Sequence, residues 1–214
     1  MKNIIIFGSP GAGKGTLIDL LTEKGVPFSL INPGQMLRDI TKEDSEFSRK
    51  IQKTMIEGGL VDDFVVNELV KKKIRELDKT KPVIFDSYPR NLGQLEIADE
   101  MFKEAGLDLP VLVYVKITKE EAIKRLSECR VCSVCKENFQ LFELSDPEKC
   151  EKCGGKIIQR EDDKPAIIES RFETFDLQFE LIQHYFKVRD RYFEIDSTKP
   201  KPERLEDLIK IIQG

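Results

Sequence analysis

Short apolar runs alternate with amphipathic stretches along most of the chain. Two amphipathic stretches, 65–77 and 95–105, repeat their apolar residues with the period of a helix. The apolar runs are continuous rather than alternating, as in strands that are buried on both faces of a sheet. Strands that alternate with helices predict a parallel sheet with right-handed crossovers, and therefore an α/β fold. Five runs are predicted as its strands: residues 4–7, 28–31, 83–85, 111–115 and 192–195.

Two segments interrupt this alternation. Residues 32–61 are polar and have a helical pattern, whereas residues 126–161 carry four paired cysteines and few long apolar runs. We interpret both as insertions above one edge of the sheet. The core domain is then formed by the remaining segments, which are residues 1–31, 62–125 and 162–214.

The first predicted strand leads directly into a glycine-rich loop. Residues 8–16 read Gly-Ser-Pro-Gly-Ala-Gly-Lys-Gly-Thr and are followed by a helical pattern. Glycines let the backbone N–H groups converge on phosphate oxygens, and the helix N-terminus adds partial positive charge there. Strand, loop and helix together favour a nucleotide phosphate site over an ordinary glycine-rich turn. The site is predicted to consist of Gly11, Ala12, Gly13, Lys14, Gly15 and Thr16.

The cysteines in the second insertion have the spacing of a metal site. Cys132 and Cys135 form one Cys-x-x-Cys pair, and Cys150 and Cys153 form another after 14 intervening residues. This pattern favours a tetrahedral Cys₄ centre over free thiols or two disulfides, with Zn²⁺ as the default ion and iron as the alternative. Four protein ligands leave no open position for substrate, so the metal is predicted to be structural and to replace a missing hydrophobic core.

Composition narrows the class of protein. Charged residues make up 35% of the 214 residues, yet the formal net charge is only −4. This balance describes a solvated surface, and it argues against nucleic acid as a partner. We find no apolar run of membrane-spanning length and no signal-peptide pattern. Cysteines grouped for metal binding fit a reducing compartment, so a cytoplasmic location without membrane association is expected.

The loop places Gly15 between Lys14 and Thr16, and this variant resembles that of adenylate kinases and other nucleoside monophosphate kinases. Further motifs of this family follow in the same order across nearly the whole chain. They are Asn-Pro-Gly-Gln-Met-Leu-Arg at 32–38, Gly-Leu-Val at 59–61, Asp-Ser-Tyr-Pro-Arg at 86–90, Gln94, Arg-Glu-Asp-Asp at 160–163, Arg171, and Asp-Ser-Thr-Lys-Pro at 196–200.

The resemblance implies a P-loop three-layer fold with a parallel five-stranded sheet. Residues 32–61 are then a helical monophosphate-binding domain, and residues 126–161 are a small metal-bearing lid. It also implies a reversible, Mg²⁺-dependent transfer of a phosphoryl group from ATP to AMP, giving two ADP. A monomer whose partners are these small nucleotides is expected.

The resemblance assigns roles to individual residues, several of which serve more than one function. Asp86 is expected to hold Mg²⁺ through its water shell. The implied catalytic residues are Lys14, Arg90, Arg125, Arg160 and Arg171. Arg125 and Lys199 join the phosphate loop in binding ATP. The AMP site is expected to comprise Pro33, Arg38, Gly59, Val61, Ser87, Arg90, Gln94, Arg160 and Arg171.

Gln94 indicates which base the acceptor nucleotide carries. Its amide offers a donor and an acceptor that match N1 and the exocyclic amine of adenine, which favours AMP. Four residues depart from the family pattern: Pro33, Gln35, Ser87 and Cys129 stand where the family typically has threonine, aspartate, glycine and arginine. These departures keep two alternatives open: a kinase for another nucleoside monophosphate, and a nucleotide-binding regulatory protein with low turnover.

Overall fold

The computed structural model describes residues 1–163 and 165–214. It contains a five-stranded and a three-stranded sheet. The strands are β1 (Ile4–Phe7), β2 (Ser29–Ile31), β3 (Val83–Asp86), β4 (Val111–Lys116), β5 (Cys129–Cys132), β6 (Asn138–Gln140), β7 (Ile157–Ile158) and β8 (Tyr192–Asp196). The α-helices are α1 (Lys14–Glu23), α2 (Pro33–Ile40), α3 (Glu46–Ile56), α4 (Asp63–Arg75), α5 (Leu92–Glu104), α6 (Lys119–Glu128), α7 (Pro165–Lys187) and α8 (Lys201–Gln213).

The large sheet is parallel throughout and has the order β2-β3-β1-β4-β8. The five predicted strands are confirmed, each to within one residue at either end. Along β1, Ile5 and Phe7 pack into a hydrophobic cluster with α4, α5 and α7. Ile4 and Ile6 pack on the opposite face, in a cluster that includes α1 and α8. The predicted three-layer α/β architecture is therefore confirmed.

The sheet register brings two predicted site segments together. Ile6 of β1 is paired with Asp86 of β3, and the backbone N–H of Ser87 donates a 2.9 Å hydrogen bond to the carbonyl of Ile6. The glycine-rich loop begins directly after β1. The loop and Asp86 therefore lie side by side at the carboxyl edge, where ligands bind in open parallel sheets.

The two insertions differ in structure. Segment 32–61 contains helices α2 and α3, as its polar helical pattern predicts. The cysteine-containing segment folds as an antiparallel sheet with the order β6-β5-β7. Helix α6 continues to Glu128, so the predicted lid boundary at residue 126 falls inside its last turn. The division of the chain into domains remains a prediction.

Polar side chains of the lid lie against the core. The side-chain amide of Asn138 comes close to the phosphate loop, because a Cβ added at Gly15 would lie 3.1 Å from its Nδ2. Lys201 of α8 forms a 2.6 Å ion pair with Glu143, which follows β6. Lys152 of the lid forms a 3.1 Å pair with Glu23 of α1. Polar contacts therefore hold the lid over the loop.

Within residues 1–163 and 165–214, every helix falls short of the combined length and apolar character that crossing a bilayer requires.

Candidate active site

A cavity of about 630 Å³ lies at the carboxyl edge of the parallel sheet, under the lid. Most of the predicted site residues line it. Ala12 and Lys199, both within the described part of the chain, lie outside the lining; Ala12 is fully buried, and the Lys199 ammonium pairs with Asp207 at 2.9 Å. The predicted residues that line the cavity are Gly11, Gly13, Lys14, Gly15, Thr16, Pro33, Arg38, Gly59, Val61, Asp86, Ser87, Arg90, Gln94, Arg125, Arg160 and Arg171.

The phosphate loop has the backbone conformation that its glycines allow. Gly11 and Gly13 have φ angles of 79° and 87°, in the left-handed region that disfavours other residues. A Cβ at Gly11 would also lie 2.5 Å from the carbonyl oxygen of Ala122 in α6. Gly11 is therefore required both for the turn and for the close approach of α6.

Lys14 folds back over this loop. Its ammonium donates hydrogen bonds to the carbonyl oxygens of Gly8, at 2.7 Å, and Ser9, at 3.2 Å. Burial lowers the pKa of Lys14 from 10.5 to about 8; Asp86 opposes this shift, whereas three nearby guanidinium groups add to it. A cation that is partly desolvated among other cations gains most from the arrival of an anion. The arginines in question are Arg90, Arg171 and Arg160.

Asp86 is held by two neighbours. The side-chain N–H of Asn32 donates to its Oδ2 at 2.8 Å, and the Ser87 hydroxyl donates to its Oδ1 at 3.1 Å. The side-chain Oδ1 of Asn32 also accepts a hydrogen bond from the backbone N–H of Gln35 at 2.8 Å and thereby caps α2. Asn32 thereby connects the start of α2 to Asp86. Ser87 has φ 55°, a conformation that suits the glycine typical of the family.

A buried glutamine with a fixed orientation lines the cavity near Arg90. Gln94 is 2% exposed, and its Oε1 accepts from the backbone N–H of Arg90 at 2.8 Å. Its Nε2 donates to Asp63 at 2.7 Å. One N–H and one lone pair of the amide are thus used, and one of each remains for a ligand. The side chain of Arg90 is oriented by a 2.9 Å bond from Nε to the Ser87 carbonyl.

Arginines surround the centre of the cavity. Arg160 donates to the Oδ1 of Asn138 at 2.8 Å, so the lid positions it. Arg171 of α7 pairs with Asp163, which is 1% exposed. Arg125 of α6 donates to the hydroxyl of Ser197 at 2.8 Å. These three side chains come from three separate segments and converge on the space above the phosphate loop.

Cys129 lines the same cavity at the start of β5. Burial raises the pKa of its thiol, and the nearby Asp163 adds to this shift, so the side chain is neutral. The adjacent Arg130 does not supply the guanidinium group that the family typically has at position 129. Its guanidinium donates to the carbonyls of Ser127 and Cys129, and Arg130, which the structure also describes, lies outside the cavity lining.

The four lid cysteines form one cluster. Their sulfur atoms all lie within 4.8 Å of one another, which fits a single metal ion. The Cys132–Cys153 and Cys135–Cys150 sulfur distances are 3.5 and 3.7 Å, well beyond the disulfide length of about 2.05 Å. The predicted metal-ligand set is thus brought together in reduced form.

Gly154 and Gly155 form the turn that follows the second cysteine pair, where Gly154 has a φ angle of 73°. The Gly154 N–H donates to the Cys150 carbonyl, whereas the N–H of Val134 in the first pair donates to the Cys132 sulfur at 3.4 Å. Gly155 serves close packing, because a Cβ there would lie 2.9 Å from that same sulfur. The lack of a side chain at Gly155 therefore leaves room for the Cys132 sulfur.

Several residues of the site carried no sequence signal. Three of them contact residues that are distant in the sequence, and each belongs to a residue type that is common on protein surfaces. They are Asn138, Asp63 and Arg204. Asn32 directly precedes Pro33, a pattern that is typical of a helix cap, but its bond to Asp86 has no such sequence signal. Such contacts follow from the tertiary fold alone.

Strand, phosphate loop, helix and a cavity ringed by arginines define a P-loop enzyme of the nucleoside monophosphate kinase class. The family model described as adenylate kinase matches residues 6–191. The adenylate kinase of Fervidobacterium nodosum is 34% identical over 214 residues, covering 99% of this chain and 98% of that protein. The adenylate kinase of Archaeoglobus fulgidus is 36% identical over 200 residues, covering 92% and 91%. The chain belongs to the adenylate kinase family, which confirms the resemblance and the prediction of an enzyme.

Proposed function

We propose that this enzyme transfers a phosphoryl group reversibly from ATP to AMP, giving two ADP. The observation that carries the proposal is the single cavity that joins Lys14 and the phosphate loop to Arg90, Arg160 and Arg171. Phosphoryl transfer needs in-line positioning and positive charge around the transferring group more than covalent chemistry. This cavity provides the positioning and the positive charge, because cations lie on both sides of the space in which the phosphoryl group would be transferred.

The donor and acceptor occupy opposite ends of this cavity. The phosphate loop and Lys14 hold the outer phosphates of ATP, while Arg38 and Arg90 hold the phosphate of AMP. An oxygen of the AMP phosphate attacks the γ-phosphorus of ATP, the bond from that phosphorus to the β–γ bridging oxygen breaks, and ADP leaves. Arg125, Arg160 and Arg171 stabilise the negative charge of the transferring group with planar, bidentate donors. The lid excludes water, which would otherwise accept the phosphoryl group.

Asp86 fits the role predicted for it toward Mg²⁺. Its carboxylate is anchored by Asn32 and Ser87 and retains lone pairs for metal-bound water. Mg²⁺ that arrives with ATP neutralises charge on the phosphates. The four lid cysteines would hold Zn²⁺, or iron, as a structural staple of the lid. Because such a site needs reduced thiols, we propose that the protein works in the cytoplasm. We also propose that it is a monomer.

The acceptor base is read by Gln94 in this proposal. Asp63 and the Arg90 backbone fix the orientation of the amide, which presents one N–H and one lone pair to adenine. Pyrimidine monophosphates leave these buried groups unsatisfied, which costs binding free energy. Pro33 lines the cavity without a hydroxyl, so we expect weaker discrimination between bases than threonine at this position would give.

A coupled assay with ATP and AMP, GMP, UMP or CMP tests the proposal. We expect turnover to be fastest with AMP, and Lys14→Ala to lose several orders of magnitude of kcat/KM while its circular dichroism is unchanged. Lys24→Ala, an exposed residue just after α1, is the matched control and should retain activity. Faster turnover with a pyrimidine monophosphate would show another acceptor. Negligible turnover with all four, together with tight nucleotide binding, would instead support the regulatory alternative suggested by Cys129.

A further inference from the structure

Arg204 of α8 is buried in an unusual state. It is 6% exposed and lines the cavity. Within residues 1–163 and 165–214, its guanidinium has no hydrogen-bond or ion-pair partner, and its buried Nε is unsatisfied. Burial lowers the pKa of Arg204, and the nearby Arg125 adds to this effect. A buried cation with no acceptor is costly, so the site is built for a ligand that brings one.

The position of Arg204 identifies which part of the ligand it meets. A Cβ added at Gly13 would lie 3.3 Å from its Nη1 and 3.8 Å from the Ser197 hydroxyl. Ser197 in turn donates to the Ala12 carbonyl at 2.7 Å and accepts from Arg125 at 2.8 Å. Arg204 and Arg125 therefore form a second cationic cluster beside the phosphate loop.

The charged groups around Arg204 differ from those around Lys14 at the transfer centre. The charged groups that act most strongly on Lys14 are Asp86 and three arginines of the acceptor side and the lid. Those that act on Arg204 are Arg125 and Asp196. If the phosphates of the donor lie in the loop and point toward Lys14, its nucleoside extends to the opposite side, toward Arg204. This step rests on the proposed function.

The chemistry of the guanidinium then restricts the base. Arginine donates hydrogen bonds and cannot accept them. The 6-amino group of adenine is also a donor and leaves the guanidinium unpaired on that side. A 6-oxopurine accepts at O6 and N7, the pair of atoms that the arginine fork matches in bidentate fashion. We propose that Arg204 reads the 6-position of the donor base and makes 6-oxopurine nucleoside triphosphates effective phosphoryl donors for this enzyme.

ITP and ATP provide the sharpest comparison, because these nucleotides differ only in the group at position 6 of the purine and in the proton on the adjacent N1. kcat/KM is measured for ITP, GTP and ATP with AMP as acceptor, in the wild type, Arg204→Met and Arg204→Lys. We expect Arg204→Met to lower the ratio of ITP to ATP activity at least tenfold. Arg204→Lys, which keeps the charge but loses the fork, should fall in between. Lys210→Met is the matched control, an exposed cation of the same helix, and should leave the ratio unchanged.

Calorimetric binding of ITP and ATP to the same proteins gives a readout that does not depend on turnover. A fall in ITP affinity relative to ATP in Arg204→Met would support the inference even if AMP were not phosphorylated by any donor, a result that would refute the proposed function alone. Equal losses for ITP and ATP would assign Arg204 to a phosphate or the ribose and overturn base reading. An unchanged ratio in both folded variants would overturn it as well.

Discussion

The ammonium of Lys152 in the lid lies 3.1 Å from the carboxylate of Glu23 in α1 and 2.7 Å from that of Glu137 in the lid itself. One lysine thus connects the lid to the first helix of the core. All three side chains remain partly exposed to solvent. The pair is therefore suited to hold the lid closed weakly and to release it.

Lys152→Met should shift the lid toward open forms. Exposed ion pairs contribute about 0.2–1 kcal/mol, so the ratio of closed to open protein should fall by up to about fivefold. Small-angle scattering would show this as an increased radius of gyration. Lys149→Met removes another exposed lid lysine and is the control. An equal change in both variants would mean that total charge, rather than the Glu23 contact, is responsible.

Asp19 of α1 should make lid closure depend on pH. Burial raises its pKa from 3.8 to about 6, and the neighbouring Glu137 adds to this. Because the pKa is raised, the neutral form favours the closed arrangement. The stabilisation is complete below pH 3.8 and is lost as the pH rises through about 6. In Asp19→Asn, the radius of gyration should no longer change between pH 4 and 7. Asp108→Asn alters an exposed residue and is the control, which should keep the pH dependence.

Removal of the metal should loosen the lid before the core. We expect one tightly bound Zn²⁺ or iron per chain, measurable by elemental analysis of protein with reduced cysteines. After chelation, amide exchange should accelerate in β5, β6 and β7 while β1, β3 and β4 stay protected, because the core has its own hydrophobic clusters. Metal-free protein with an equally protected lid would contradict this prediction.

ATP affinity should fall as the pH rises above about 8. Lys14 binds phosphate oxygens in its protonated form, and its pKa in the free protein is about 8. In the free protein, Lys14 is therefore fully protonated well below this pH and loses its proton above it. Bound phosphates raise the pKa of Lys14. Calorimetry between pH 6.5 and 9.5 measures the slope. Lys14→Arg stays protonated throughout and should lose this dependence, even if its affinity is lower overall.

Cys129→Arg should raise the rate of the chemical step. The substitution adds a donor at the cavity wall, where Cys129 is now a neutral thiol, and one such donor is worth about 10²–10³ in rate in a dry site. Single-turnover kinetics separates this step from product release. Arg130→Ala should change little, because Arg130 bonds to backbone carbonyls. A large loss in Arg130→Ala with no gain in Cys129→Arg would reverse these roles.

Local sequence patterns predicted the strands, the phosphate loop and the cysteine cluster, because each depends on residues that are neighbours in the chain. The continuous apolar run at Ile4–Phe7 predicts a doubly covered strand, and the structure buries all four residues. The Lys14-Gly15-Thr16 variant then identified the family.

Contacts that depend on distant segments could not be predicted in this way. Asn138 reaches the phosphate loop only because the lid folds over the core, and it bonds to Arg160 only because the lid itself is folded. Arg204 carries an ordinary charge on an amphipathic helix, and its burial follows from how α8 packs beside Ser197. Lys199 has a family motif around it, but its side chain pairs with Asp207 outside the cavity lining described here.

The cysteine cluster also determines how the lid responds to temperature. The hydrophobic cluster of the lid is small, consisting of Cys132, Cys150 and Ile157 with Phe139 and Leu144 packed against it. Apolar contacts weaken on cooling, and so small a cluster would lose its fixed shape in the cold. Thiolate coordination has no such dependence on water structure. With its metal bound, the lid would keep its internal structure in the cold, so temperature would act mainly on the polar contacts between the lid and the core.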